Sequence, residues 1–424
     1  MSVLSILYVV PSDEHPRTRE GIQWIVEPFD PQQHQADIVV FVAQPSDAQL
    51  KQLWNMNKYY LVYDAYDGVI PTSFRYHLVL APSRRELYHI WKHHFPGMGD
   101  IHPLSSDPSP FMDPDYKGEE LKRCYDDRDM MEALRQGKLP LMYEPSEFLT
   151  VDYVFSGEQK VASNLPHASE QCRAAAMELE ATVIGKQLRK KLAAWHTLHQ
   201  YLAFLRDKVK QVIPTHTRFV VYRAAFCGCN ISEYEEEPPR NGEVRLFFHD
   251  DTVPPLPGYI PIKIPLFRAS LFDFRKVRRN YADPSGTLTN RIIKLLIFHI
   301  LPLSVQKTVY LDLMCFRPVR EPFMHASRQP FWAPRHRTRT AGHEEFATLV
   351  EQNLATETFA GRLFRIYNRM TNRTLSAAPL TENGVMYRVK TFLIKKWMNA
   401  WFFELVRGIP RDQCSCQFTR IMLM

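Results

Sequence analysis

Short apolar runs separated by polar stretches open the chain. LSILYVV at 4–10, ADIVVFVA at 36–43, YYLVY at 59–63 and LVLA at 78–81 are rich in β-branched and aromatic residues. Runs this short, bounded by turn-forming residues, predict buried strands. The stretch 47–55 fits a helix between the second and third of them. Strands alternating with helices predict a small parallel α/β unit. From 100 to 117 the pattern lapses into prolines, serines and aspartates, which predicts a linker. A helix is expected at 126–136. Residues 168–212 hold no proline and are dominated by good helix formers. There Leu188, Leu192, Trp195, Leu198, Leu202 and Leu205 recur at helical spacing and form one stripe. Gly185 is a candidate break. The stripe either packs within the chain or forms the seam of a homodimer.

Strand patterns return at 218–222, 244–248 and 260–264. Pro284 and Gly286 predict a loop. The stretch RIIKLLIFHILPLSVQKTVYLDLMCFRP at 291–318 then reads as helix, break and strand. Ile292, Leu295, Leu296 and His299 share a helix face, and Pro302 ends it. Residues 308–311 are a buried strand, and Asp312 follows at once. An isolated carboxylate in apolar company is costly unless paired, hydrogen-bonded or metal-bound, and ligands gather at the carboxyl ends of strands in open α/β sheets. The plain alternative is an Asp capping the next turn. Residues 317–340 read as irregular and basic. Helices are expected at 342–353 and 359–369, a turn at 381–384, a strand at 385–387 and an aromatic-rich helix at 390–406. The fold class is therefore α/β. A Rossmann-like module spans 1–105, a linker with a small α/β extension 106–167, a connecting helix 168–213 and a mixed α/β domain 214–424.

A chain of 424 residues exceeds one ordinary core. Its 45% hydrophobic and 23% charged content is that of a globular protein. The formal charge of +7 suits an anionic ligand or membrane surface. The basic residues are dispersed except at 275–279 and 335–339 and no nucleic-acid motif is present, so nucleic acid is not an expected partner. The seven cysteines are an odd number in a large chain, which points to a reducing cytoplasm. Cys227/Cys229 and Cys414/Cys416 offer four thiolates to zinc or are buried thiols. Their C-x-C spacing is tighter than usual ligand spacing. No signal peptide and no apolar run of about 18 residues is evident. Lys395 and Lys396 beside Trp397, Trp401, Phe402 and Phe403 suit a peripheral contact with the inner membrane face, with a core helix as the alternative.

Helix, Leu-Pro, polar residues and then aromatic-hydrophobic-Asp resembles the centre of a GT-A-type glycosyltransferase. More specifically, residues 214–424 resemble a glycosyltransferase-like domain family of plants and bacteria. It was formerly a domain of unknown function and is known from mucilage- and cell-wall-related proteins. VYRAAFCGCN at 221–230, FFHDD at 247–251, RRN at 278–280, KLLIFHILP at 294–302 and YLD at 310–312 carry the likeness. PRH at 334–336, HEEF at 343–346, WFFE at 401–404 and RDQCS at 411–415 complete it, in the family's order. Arg388 is kept from a family R-E-H element, whereas Val389 and Lys390 replace its other two members. YLVYDAYDG followed by LVLAPSRRELYHIW resembles the N-terminal half of GT-B glycosyltransferases, with Asp64 and Asp67 carrying the likeness. A turn with two solvated acids is the alternative, and a receiver-like or scaffold role fits as well.

The resemblance implies a nucleotide-diphosphate sugar donor and a glycan or glycolipid acceptor in surface polysaccharide biosynthesis. It implies Asp312, Glu404 and Asp412 as catalytic residues, with Asp412 as an acid near the acceptor or the reacting sugar, where an inverting enzyme needs a general base. Tyr222, Asp250, Asp251, Arg278, Arg279, Arg291 and Lys294 fall on the donor side, where arginine forks match phosphate oxygens. His336, His343, Glu344, Trp401 and Gln413 fall on the acceptor side. Such enzymes often hold Mn²⁺ or Mg²⁺ on an Asp-x-Asp pair to offset leaving-group charge. Here Leu313 and Met314 follow Asp312, so the second acid is absent. That leaves either Asp312 with a distant ligand or a metal-free site. A solvated basic face, a packed histidine, an Arg411–Asp412 salt bridge and a core Trp401 are the plain alternatives. The rival function is a non-catalytic carbohydrate-binding or scaffold protein.

Overall fold

A computed structural model describes residues 5–10, 23–26, 29–65, 71–73, 75–81, 84–93, 95–101, 121–124, 139–142, 170–228, 239, 242–268, 284–313, 329–352, 355, 357–407 and 411–424. The chain divides into two compact units, Met1–His196 and Thr197–Met424. The expected helix at 126–136, Asp67, Cys229, Arg278 and Arg279 lie outside the described residues.

The first unit is built on β1 (Ile6–Val10), β2 (Gln23–Val26), β3 (Ile38–Phe41), α1 (Asp47–Met56), β4 (Tyr60–Asp64), β5 (Leu78–Ala81), α2 (Arg84–His93) and β6 (Met98–Ile101). The six strands are parallel, in the order β2-β1-β3-β4-β5-β6. Every residue of β1, β3 and β5 is buried, as expected of parallel strands covered on both faces. Ser46 starts α1 by accepting the Gln49 N–H at 3.3 Å. The expected linker does not begin at Asp100, because the chain stays in the sheet through Ile101. The sequence MGDI hid this strand. Gly99 is there for a close approach, since a Cβ would sit 2.6 Å from Leu87. Asp100 is buried against Lys191 Nζ at 3.6 Å and accepts from Trp195 Nε1 at 3.2 Å. β7 (Leu121–Cys124) and β8 (Leu139–Met142) form a separate parallel pair.

α3 (Glu170–Val212) runs through Gly185 as one helix. Leu192, Trp195, Leu198, Leu202 and Leu205 are buried, so this part of the stripe is used in packing within the chain.

The second unit contains β9 (Phe219–Ala225), β10 (Glu243–His249), β11 (Ile260–Lys263), α4 (Pro284–Ile300), β12 (Lys307–Leu311), β13 (Phe331–Trp332), α5 (Gly342–Glu351) and α6 (Glu357–Met370). A 3-10 turn (Thr374–Ala377), β14 (Val385–Val389), α7 (Phe392–Arg407) and α8 (Asp412–Leu423) follow. The strand order is β11-β10-β9-β12-β14-β13. β9 to β12 are parallel, and β14 and β13 complete the sheet antiparallel. The order reverses beside β9, so the carboxyl ends of β9 and β12 flank the position where such sheets take ligands.

Three expectations change. α4 begins at Pro284 rather than after a Pro-Gly loop. Proline suits a first helical turn, whose N–H groups have no partner in the helix, and Gly286 lets the helix approach Cys227, where a Cβ would lie 2.5 Å from Sγ. The irregular stretch contains β13, whose two residues are too few to show a period. Trp397, Trp401, Phe402 and Phe403 are core residues at 0–1% exposure, so they are not the membrane-facing set the sequence suggested. Among the described residues, no helix is long and apolar enough to cross a membrane.

Candidate active site

The carboxyl ends of β9 and β12 are fixed by polar groups around Asp312. Its N–H donates to Gly384 O at 2.7 Å, and its own carbonyl accepts from Arg223 at 2.9 Å. Arg223 is buried and also donates to the Tyr259 hydroxyl at 2.9 Å. The Asp312 carboxylate has no hydrogen-bond partner among the described residues, yet its charge reaches Lys294 and Tyr310. The backbone of the strand end is thus clamped, and its acid takes no part in that clamp.

Lys294 projects from α4 with 2% of its side chain exposed, over the Tyr310 ring at 5.0 Å. It pairs with the Asp412 carboxylate, which Arg291 also approaches at 3.5 Å. Burial pulls the Lys294 pKa down, and Asp412 and Asp312 resist. Burial alone would raise the Asp412 pKa, but Arg291 and Lys294 overcome it and hold the acid well below the carboxylate range. A carboxylate so held is a weak proton acceptor. Its geometry suits fixing Lys294 and Arg291 in place. The sequence alternative of an Arg411–Asp412 bridge is replaced by two partners from α4, while Arg411 turns to Glu345 at 2.9 Å.

Glu345 is fully buried on α5, with Arg339 2.6 Å away on its other side. Arg339 donates from Nε to His336 at 3.1 Å. Burial and then Arg339 lower the His336 pKa. The contacts form two groups, Asp412 with Lys294 and Arg291, and Glu345 with Arg411 and Arg339, the latter reaching His336. They adjoin because Arg411 and Asp412 are consecutive residues, and Asp312 acts on Lys294 through its charge.

The remaining expected site residues are dispersed. Tyr222 is fully buried, donates to Lys294 O at 3.0 Å and accepts from Arg388. Burial raises its pKa to about 12, against the pull of Arg388. Asp250 holds the turn after β9 by accepting from Cys227 N–H at 2.9 Å and Thr252 Oγ1 at 2.7 Å. Burial opposes its ionisation, but these bonds keep its pKa below the usual value. Asp251 is exposed and pairs with Lys263. Glu404 has no exposed surface and accepts from the Tyr367 hydroxyl at 2.9 Å. Trp401 is equally buried and donates to Asp412 O at 3.0 Å. The catalytic role implied for Glu404 and the acceptor role implied for Trp401 both need an accessible side chain, and neither has one. Covering elements close over an aromatic stripe that helical periodicity alone leaves unassigned. Glu344 accepts the Thr340 N–H at 2.6 Å and the Ala341 N–H at 3.3 Å, so it caps the start of α5. His343 is exposed and contacts Ser376 O at 3.2 Å. Gln413 lies in the first turn of α8, half-buried, and its enclosed Oε1 has no hydrogen-bond partner among the described residues.

Cys414 and Cys416 are buried, and burial pushes both thiols up, Cys416 to about 12. Enclosed thiols of this kind are chemically inert. Among the described residues, no group of three or more His, Cys, Asp or Glu comes together as a metal site. Arg223 and Arg388 were missed as organisers. Their sequence signal is an arginine inside an otherwise apolar strand, in FVVYRAA and VMYRV.

These features define an α/β protein with a buried ionic cluster at the switch point of its second sheet. No family model and no curated protein matches the chain. Among solved structures, it is similar to the apo form of mouse xyloside xylosyltransferase 1. The identity is 11% and the TM-score 0.27, over 48% of this chain and 81% of that one. A superposition that loose carries no argument about fold or activity.

Proposed function

We propose that the chain is a glycosyltransferase that moves a sugar from a nucleotide-diphosphate donor to a glycan or glycolipid acceptor in surface polysaccharide biosynthesis. The GT-A-type reading of residues 214–424 underlies this. The observation that carries it is the Asp312 carboxylate at the switch point, without a hydrogen-bond partner among the described residues, its charge felt by buried Lys294, which shares Asp412 with the partly buried Arg291. Transfer breaks the bond between the anomeric carbon and the diphosphate and forms one to an acceptor hydroxyl oxygen, while the hydroxyl proton leaves to a base. Negative charge accumulates on the departing diphosphate, and preorganised cations stabilise it. Lys294 and Arg291 have that role, with Asp412 positioning them. Glu404 and Trp401 are left to the core.

Asp312 supplies one carboxylate. Mg²⁺ is commonly held by one or two carboxylates together with substrate phosphates and water, so the residue fits such an ion or Mn²⁺. The ion would supply further charge compensation to the leaving group.

Titrating the full chain with a panel of nucleoside diphosphates, with and without Mn²⁺, tests the proposal. Binding is expected for at least one, with weakening in Asp312→Asn. If no nucleoside diphosphate binds in either condition, the proposal fails. The absent second acid after Asp312 and the enclosed Glu404 favour the second reading, a carbohydrate-binding or scaffold protein. It predicts sugar binding without transfer.

A further inference from the structure

The end of the second sheet away from Asp312 is basic. Arg218 precedes β9, Lys307 opens β12 and Lys390 follows the antiparallel β14, so all three lie at the edge where β9 and β12 begin. Backbone bonds hold them side by side. The Lys307 N–H donates to Arg218 O at 3.1 Å and the Lys390 N–H to Gln306 O at 2.7 Å. Lys390 Nζ also donates to Pro302 O at 3.3 Å, which ties the turn after α4 to the end of β14. Arg206 of α3 reaches the last turn of α4, donating from Nε to His299 O at 3.0 Å. Lys395, in the first turn of α7, acts by its charge on both His299 and Lys390. None of these five cations has a carboxylate partner among the described residues. Segments 214–218, 302–307 and 390–396 contain no Asp or Glu, and Asp207 of α3 pairs with none of the five. The cations act on one another instead. Burial and then Arg206 lower the Lys395 pKa, and burial and then Lys395 lower that of Lys390.

The same edge exposes large apolar side chains. Leu303, in the turn that Lys390 ties down, is 86% exposed, and Phe392, two residues beyond Lys390, is 49% exposed. A lone exposed leucine is ordinary. Cations held without counter-ions beside exposed apolar side chains are the composition of a surface that lies on a bilayer, where anionic headgroups attract the cations and the apolar tips leave water. An acidic protein would need carboxylates placed to match five fixed cations, whereas lipid headgroups rearrange to meet them. We propose that this basic edge docks the protein on an anionic bilayer, with Leu303 and Phe392 entering the headgroup region. Asp312 then lies at the other end of β12, roughly 15 Å further from the lipid for five residues of strand. Of the residues that the sequence suggested for a membrane contact, only Lys395 belongs to this surface, since Lys396 and the aromatic residues that follow it are buried. The inference does not rest on the transferase reading.

Flotation of the full chain with lipid vesicles tests this. The vesicles are phosphatidylcholine alone and an equimolar mixture with phosphatidylserine, each at low and at physiological ionic strength. Binding to the mixed vesicles and not to the neutral ones is expected, and it should weaken as salt is raised. Arg218 and Lys307 are both exposed, so replacing them together by glutamine leaves the core untouched. That double variant should lower the vesicle partition coefficient roughly 25-fold, about five-fold for each cation at an anionic surface. Leu303→Ser, at a position where the fold has nothing to lose, should weaken vesicle binding several-fold and leave binding to polyglutamate, a soluble polyanion, unchanged. Circular dichroism melts identical to wild type show that both variants are folded. Absence of binding to the mixed vesicles overturns the inference. So does a loss under about two-fold in the cation variant, far short of the scale of two surface charges. Vesicle binding that Leu303→Ser leaves intact, together with polyglutamate binding that the cation variant abolishes, identifies an acidic protein as the partner and overturns the bilayer assignment.

Discussion

Replacing Asp412 by asparagine keeps the shape of the side chain and removes its charge. Lys294, with 2% of its side chain exposed, then has no adjacent anion in the pair, and Arg291 loses its 3.5 Å partner. Removing one member of a buried ion pair costs about 3–5 kcal/mol, because the remaining charge stays desolvated. For a unit the size of Thr197–Met424 this lowers Tm by roughly 6–20 °C. The sign with pH follows from Lys294. Burial already lowers its folded pKa, so the unfolded chain binds its proton more readily and stability rises as pH climbs through the folded value. Losing Asp412 lowers that pKa further, so the deficit of Asp412→Asn should shrink as pH is raised above neutrality. Asp412 itself has a depressed folded pKa. The wild type therefore has this stabilisation above the unfolded carboxylate pKa of about 4 and loses it as pH falls below. Scanning calorimetry of wild type, Asp412→Asn, Lys294→Met and the double variant, from pH 6 to 9, closes a double-mutant cycle. The double variant should recover much of the loss. A loss below about 1 kcal/mol, where exposed pairs lie, or a double variant no better than Asp412→Asn, refutes the coupling.

Other consequences are independent of ligand. Arg388 is buried and donates to Lys294 O at 2.6 Å and to the Tyr222 hydroxyl, so Arg388→Met should cost about 2–3 kcal/mol. Because Arg388 opposes the burial that lifts Tyr222 to about 12, alkaline ultraviolet titration of the variant should show that tyrosine ionising later still. Cys414 and Cys416 should resist maleimide at pH 8 and react once the chain is denatured. Rapid labelling of either in the native protein contradicts their enclosure. His77 is pulled by burial to about 4 and accepts the Leu61 N–H at 3.0 Å. The first unit should therefore lose stability as pH falls from about 6.5 toward 4, and NMR titration of that imidazole should give a midpoint well below 6.

Local patterning made the strands IVVF, YLVYD and LVLA legible, because a buried parallel strand is written as a continuous apolar run. It also made Asp312 stand out, since the acid interrupts such a run. β6 was hidden because a strand containing Gly99 and Asp100 has no apolar signature. Its burial is completed by Lys191 and Trp195, far away in the sequence. The pairing of Lys294 with Asp412 spans 118 residues and that of Arg411 with Glu345 spans 66. Neither has a local period. Residue type alone leaves Glu344 and Glu345 equivalent, yet one caps a helix in solvent and the other is buried between two arginines. The resemblance implied an acceptor role for Trp401 and a catalytic one for Glu404, and only the packing of α4 and α8 against α7 shows that both are inside.

Asp312 and Asp412 carry the same chemical group, but their surroundings give them different roles. Asp412 is enclosed and offset by two cations from α4, so its charge is committed before any ligand arrives. Asp312 has its backbone fixed by Arg223 and Gly384, while its carboxylate has no hydrogen-bond partner among the described residues. A group already paired can position its neighbours at no reorganisation cost during a reaction. A group that is available can meet an incoming cation or ligand. The sequence order of the motifs suggested two acids acting on one substrate from two sides. The electrostatics commit Asp412 to the protein's own cations, and on the transferase reading Asp312 is the acid that meets the ligand. On the transferase reading, a proton acceptor for the acceptor hydroxyl then has to come from a group other than Asp412 or Glu404.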